Sequence, residues 1–235
     1  MQGDYLEMTI RSVLLQGYPN LEYFIVDGGS TDASREIIEK YRPFVSGAVS
    51  EKDRGQSHAI NKGMAKLQNA EWVTWLNSDD IFLPGAMEAV GNWAARAVKE
   101  SVAVIGRGFH RREDGSRKEW QPKDSTNREN IRNWRRHSFL QPACFFRLED
   151  YRAVDGVREE LHLAMDFELW LKLSERGEFE LIDTPIAEDL LHADAKTQLA
   201  MGSYIAEACE VLFDRGYREE ARETIKDLFE EYTYL

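Results

Sequence analysis

The sequence predicts an α/β fold: a mixed, mainly parallel sheet flanked by helices, followed by a helical extension. Three observations predict it. Short apolar, β-rich runs alternate with segments of helical period over residues 1–195, the pattern of successive βα units. Two of those runs stop abruptly at acidic residues, as strands of an open sheet do where ligands collect. From about Lys196 only helical spacing remains.

In order, a helix is expected over Tyr5–Leu15, then strands at Leu21–Asp27 and Ala48–Glu51 with the helix Ser34–Tyr41 between them. Ser57–Leu67 has helical spacing through Ala59, Ile60, Met64 and Leu67. Trp72–Asn77 has the length and composition of a buried strand. Pro84 and Gly85 punctuate the chain before a helix at Gly85–Val98. Strands near Val102–Phe109 and Gln141–Arg147 flank a polar segment, Arg111–Asn127, expected to be mobile, and Ile186–Leu191 reads as a further strand. Residues 196–235 are expected to form a helical hairpin, broken at Gly216, that covers the sheet or makes an oligomer interface.

Composition fits a soluble enzyme. At 235 residues and 43% hydrophobic content, one α/β domain can bury a sizeable core. A net charge of −12 argues against non-specific nucleic-acid binding. Arg107–Arg112 with Arg132, Arg135 and Arg136 could face an anionic acceptor, although a solvated face is the simpler reading. Cys144 and Cys209 form no metal pair and suit a reducing cytoplasm. No apolar run reaches membrane-spanning length and no signal peptide is visible. His110 and His137 fall in basic stretches expected to be exposed.

The acids at strand ends are the chemical signal. Asn77, Asp79 and Asp80 follow the apolar run Trp72–Leu76. Two adjacent carboxylates repel, and a divalent cation bridging to substrate phosphates would neutralise them, since Mg²⁺ takes one or two protein carboxylates. The alternative is a pair of acids capping the next turn. Asp27-Gly28-Gly29-Ser30-Thr31-Asp32 ends the other strand and leads into a helix. Backbone donors and a helix N-terminus suit an anion there, and Asp27 could accept from a base edge or ribose, or be an ordinary turn aspartate. Asp166 and Glu168 open an apolar helix, where acids also serve as dipole partners.

Taken together, Val26–Asp32, Asp53-Arg54-Gly55-Gln56-Ser57, Asn61-Lys62-Gly63, Trp75–Asp80 and Met165–Leu171 occur in an order that resembles the family 2 glycosyltransferases. The resemblance covers roughly residues 1–195 and implies a GT-A fold. It implies inverting transfer of a sugar from a nucleotide diphosphate donor, usually UDP-linked, with Mg²⁺ or Mn²⁺. It also implies polysaccharide synthesis in the cytoplasm, on a glycan or lipid-linked acceptor at the inner face of the membrane. Position by position, Asp27 resembles the acid that contacts uracil and ribose, with Gly28 and Gly29 beside it. Asn77–Asp79 occupies the Asp-x-Asp site, with Asn in its first place; Asp79 is the implied metal ligand and Asp80 a donor contact. Asp166 falls at the catalytic base, with Glu168 in support. His192 matches a histidine near the metal and diphosphate. Asp53, Arg54, Gln56 and Asn61 are implied donor contacts, and Gln141 borders the acceptor pocket.

One departure stands out. The family's domain opens with an apolar strand, and Met1–Tyr5 begins where the following loop ends. Without that strand, an open edge is expected that destabilises the chain or pairs it with a second copy. Two functions stay open: a working inverting glycosyltransferase, or a related domain that binds a nucleotide or partner without transfer.

Overall fold

The computed structural model describes residues 3–122, 127–192 and 201–233. Helix α1 (Gly3–Leu14) buries Leu6, Ile10 and Val13 at helical spacing, and its buried Thr9 faces the same way. Strands β1 (Phe24–Asp27) and β2 (Gly47–Ser50) run parallel, from Phe24–Gly47 to Asp27–Ser50, joined by α2 (Ser34–Tyr41). At Gly47 a Cβ atom would lie 2.3 Å from the Phe24 ring, so glycine is what lets that ring cross the strand. Leu6, Ile10, Ile25 and Ile38 form the small core of this layer. Helix α3 (Gln56–Lys66) packs on β1.

The second sheet has the order β3-β7-β5-β8-β4: β3 (Trp72–Val73), β7 (Cys144–Arg147), β5 (Ser101–Arg112), β8 (Glu178–Leu191) and β4 (Ile81–Phe82). β5 and β8 run parallel from Ser101–Glu178 to Arg112–Leu191, the longest ladder in the protein. The shorter β3–β7, β5–β7 and β4–β8 pairings are antiparallel. The second sheet is thus mixed, its parallel character carried by β5–β8, while the separate β1–β2 sheet is parallel. Residues 111–122 are not the expected mobile segment: β6 (Arg117–Trp120) folds back on β5 as a hairpin turned at Gly115. α4 (Ala86–Ala94) lies against β8. Short helices α5 (Arg128–Arg132), α6 (Trp134–His137) and α7 (Leu148–Ala153) precede α8 (Met165–Ser174).

The main core surrounds α8, whose Phe167, Leu169, Trp170, Leu171 and Leu173 are all buried. Trp170 stacks on Trp75 with centroids 5.8 Å apart and planes 7° apart. A helix apolar on every side belongs in an interior. The hairpin of α9 (Met201–Asp214) and α10 (Arg218–Thr233) adds Ile205, Ala208, Val211 and Leu212 to the same core. The expected helix start near Lys196 and Leu199 lies outside the described residues. No described helix is long and apolar enough to cross a membrane.

The two sheets do not join. Between them is a cavity of about 1320 Å³, lined by Phe24, Ile25 and Val26 on one side and Trp72–Leu76 on the other. The expected strand Trp72–Asn77 therefore shortens to two residues, because Thr74–Leu76 border the cavity and find no ladder partner.

Candidate active site

The cavity extends to the strand ends, where Gln56, Asn77, Asp79, Asp80, Gln141 and Asp166 share its wall. Residues 77–80 turn sharply, with Asp80 N–H donating to Asn77 O at 3.2 Å. The Thr9 hydroxyl fixes this turn through Ser78 O and Asp80 O, at 2.9 and 2.8 Å. Asn77 Nδ2 donates to Asp80 Oδ2 at 2.9 Å, while Asn77 Oδ1 accepts from Gln56 Nε2 at 2.8 Å. The amide at position 77 can bridge a donor and a carboxylate, which a second carboxylate could not. Asp80 is buried, and burial and the charges of Asp79 and Asp189 push its carboxyl well above the usual range, against the bonds from Asn77 and Leu190.

Asp79 meets His192 at the end of β8, Nε2 to Oδ2 at 3.0 Å, and the Tyr5 ring lies 5.8 Å from the imidazole. An imidazole and a carboxylate at one point are two donors of kinds that Mn²⁺ accepts. No group of three or more His, Cys, Asp or Glu side chains arranged as a metal cage occurs among the described residues. Protein donors would therefore be two, leaving positions for phosphate oxygens and water.

Asp166 lies in the first turn of α8, and burial pushes its carboxyl up to about 6, against the Phe167 N–H bond at 2.7 Å. The Tyr204 hydroxyl lies buried near it, beside Trp134, on the wall of the same cavity. Gln141 donates to Trp75 O at 2.9 Å, leaving its own Oε1 buried and unpartnered at the cavity.

Other sequence-predicted residues are engaged elsewhere. Asp27 accepts from Gly29 N, Ser30 N and the hydroxyls of Ser30 and Ser50. Burial works upward on its carboxyl, but these bonds outweigh it and hold it below the usual range. Gly29 has φ +89°, which favours glycine there, and at Gly28 a Cβ would come 2.7 Å from Asp53 Oδ2, so a side chain would displace that carboxylate. Asp53 accepts from Gly55 N at 2.9 Å. Arg54 pairs with Glu159 at 2.6 Å. Asn61 is bound on both sides by Val157 and by Tyr151, which makes it a bracket between α3 and the turn before α8. Glu168 points to Arg158 and Lys172, at 3.4 and 3.5 Å, and is absent from the cavity wall.

Sequence reasoning missed His110, which is not exposed on a basic face. It lines the cavity and meets Asp189 at 2.7 Å, with Trp120 edge-on at 5.0 Å. His110 stands beside Asp189 in the β5–β8 register, a pairing that no local signal in the sequence marks. Arg111 and Arg117 are likewise not free for an anion: both pair with the buried Glu188.

The fold is that of Staphylococcus aureus TarS, with a TM-score of 0.68 at 18% identity over 90% of this chain and 62% of that one. A mannosyltransferase from Pyrobaculum calidifontis, solved with GDP-mannose and Mn²⁺, superposes with a TM-score of 0.65 at 16% identity, covering 96% and 71%. Both are glycosyltransferases of the GT-A fold. In sequence the chain is 38% identical over 88 residues to TuaG of Bacillus subtilis, assigned to teichuronic acid biosynthesis, covering 36% of this chain and 34% of that protein. It is 26% identical over 208 residues to chondroitin synthase of Pasteurella multocida, covering 82% of this chain and 20% of the relative. The chain thus matches 34% and 20% of the length of these two curated relatives. The model of the family described as "Glycosyl transferase family 2" matches residues 2–154, the part that carries both acidic strand ends. On that match, the chain belongs to glycosyl transferase family 2.

Proposed function

We propose that this chain transfers a sugar, with inversion, from a UDP-linked donor to an acceptor hydroxyl. The observation that carries the proposal is that Asp79, itself paired with His192, and the buried Asp166 line the wall of one cavity. Asp79 and His192 would hold a divalent cation, which supplies charge stabilisation to the departing diphosphate when bound. Gln56, Asn77 and Asp80 form a linked set that orients the donor side. Asp166 takes the proton from the acceptor hydroxyl as that oxygen attacks the anomeric carbon and the carbon–diphosphate bond breaks. An acid buried until its carboxyl titrates near neutrality is matched to that task. The unpartnered Gln141 Oε1 offers the acceptor sugar a hydrogen-bond acceptor.

One curated relative is named for teichuronic acid biosynthesis and another as a chondroitin synthase, which supports a glycan or lipid-linked acceptor. The mannosyltransferase solved with Mn²⁺ supports the choice of cation. A second reading is binding without transfer. Its support is Asp27, whose oxygens are taken up by its own turn and by Ser50 of β2 rather than left open to a base. A thermal-shift screen of UDP-glucose, UDP-N-acetylglucosamine and UDP-glucuronate with Mn²⁺, followed by transfer assays, separates the two. Stabilisation without UDP release to any acceptor supports the second reading.

A further inference from the structure

The start of α8 is held by a side chain from the C-terminal hairpin. Glu207 on α9 accepts N–H bonds from His162 at 3.1 Å, Leu163 at 2.8 Å and Ala164 at 2.9 Å. The first N–H groups of a helix have no partners within it, and negative charge there is favourable. Ala164 at the N-cap position offers no side-chain cap of its own. The carboxylate that orders this turn therefore comes from an element packed across it. Asp166 is two residues beyond Ala164, and His162, Leu163 and Met165 line the same cavity as Asp166. Tyr204, three residues before Glu207, is also on that wall, and its hydroxyl is electrostatically coupled to Asp166. Two neighbouring turns of α9 thus act on one carboxylate: one fixes its backbone, the other walls its pocket.

We propose that Glu207 is a positioning residue for Asp166, which makes the C-terminal hairpin part of the reaction centre. The proposal rests on the reading of Asp166 as base for its function, but not for its geometry. Removing the Glu207 charge frees the 162–164 backbone, admits water beside Asp166 and lets its carboxylate leave the acceptor side.

The test needs no substrate. Carboxyl ¹³C NMR of the metal-free full chain, with Asp166 assigned through Asp166→Asn, follows the Asp166 titration; amide exchange follows residues 162–164. In Glu207→Gln, the Asp166 midpoint is expected to fall by about one unit or more from its value near 6, as water replaces the buried setting. Exchange at Leu163 and Ala164 should rise roughly tenfold as the local opening free energy falls. Glu207→Asp, which keeps the charge on a shorter stem, should give an intermediate midpoint and stands in if the amide variant does not fold. Faster exchange with an unmoved Asp166 midpoint in these variants would overturn the proposal, because Glu207 would then be a structural cap only. Normal transfer by Asp166→Asn, with the midpoint of Asp166 still responsive to Glu207, would overturn the assignment of the base and leave the positioning intact.

Discussion

His192 Nε2 lies 3.0 Å from Asp79 Oδ2, joining residues 113 apart in sequence where β8 ends against the turn before β4. Neither group is well exposed, so their alignment is set by the fold rather than by chance encounter. Burial, and after it the charges of Asp79 and Asp189, drives the Asp80 carboxyl upward, and a cation placed beside Asp79 would relieve the charge part of that shift. UDP binding is therefore expected to require Mn²⁺ or Mg²⁺. Calorimetric titration should show it abolished by chelator and by Asp79→Ala, and weakened by roughly 10–100-fold in His192→Ala. Equal UDP affinity with chelator present would remove the metal bridge.

Asn77 bridges Gln56 and Asp80 through the two ends of its amide. Replacing it by aspartate sets a third carboxylate against Asp79 and Asp80. Asn77→Asp is expected to lower metal-free stability by about 1–3 kcal/mol, the usual cost of an unsatisfied buried partner. Excess Mn²⁺ should restore most of that loss. Urea unfolding with and without the ion reads both effects, and a variant as stable as wild type without metal would contradict the bridge.

Burial raises Asp166 to about 6, and this has a consequence for stability with a definite sign. The folded protein keeps this proton while the unfolded chain releases it near pH 4. The stabilising contribution is present below pH 4 and is lost as pH rises through about 6. Between pH 4 and pH 8, wild type should lose about 3 kcal/mol relative to Asp166→Asn. Denaturant unfolding of the metal-free pair at both pH values measures the difference. A gap independent of pH would mean that Asp166 is solvated.

The sides of β1 and β3 turned toward the cavity carry no ladder partner among the described residues. An extended segment laid there would pair both edges and fill apolar space. Supplying on the order of ten strand-patterned residues as a separate peptide should raise the Tm and tighten UDP binding together. Without that addition, light scattering should detect pairing or aggregation at high concentration. A monomer whose Tm and UDP affinity are unmoved by the added residues would place the cavity's role elsewhere.

Much of the fold was legible because its strands end where apolar runs meet acids. Asp27 was placed at a strand end on that signal and ends β1, whereas Asn77–Asp80 follows a run whose strand stops at Val73; the helix Ser34–Tyr41 has the expected bounds. The first half of β8 was not legible, since Glu178, Glu180 and Asp183 alternate with Phe179 and Leu181 and mask a strand that is half solvated. The Thr74–Leu76 run reads as strand from its composition, yet pairing decides strand structure and its partner side is the cavity. Asp79–His192 was approached only through resemblance. His110–Asp189 and Glu207–Leu163 were out of reach, because each contact joins elements distant in sequence and neither residue has a distinctive local setting. Asn61 and Glu168 show the converse: motif position marked them for chemistry, and packing gives them bracing partners.

The account stands most directly on Asp166. The measurement is the transfer rate of Asp166→Asn against wild type, with the donor chosen by thermal shift and UDP affinity measured in parallel. The asparagine keeps shape and hydrogen bonding but cannot take the acceptor's proton. Turnover should fall by ~10²–10⁴-fold while UDP affinity stays within about twofold. Near-normal turnover in Asp166→Asn would contradict the account.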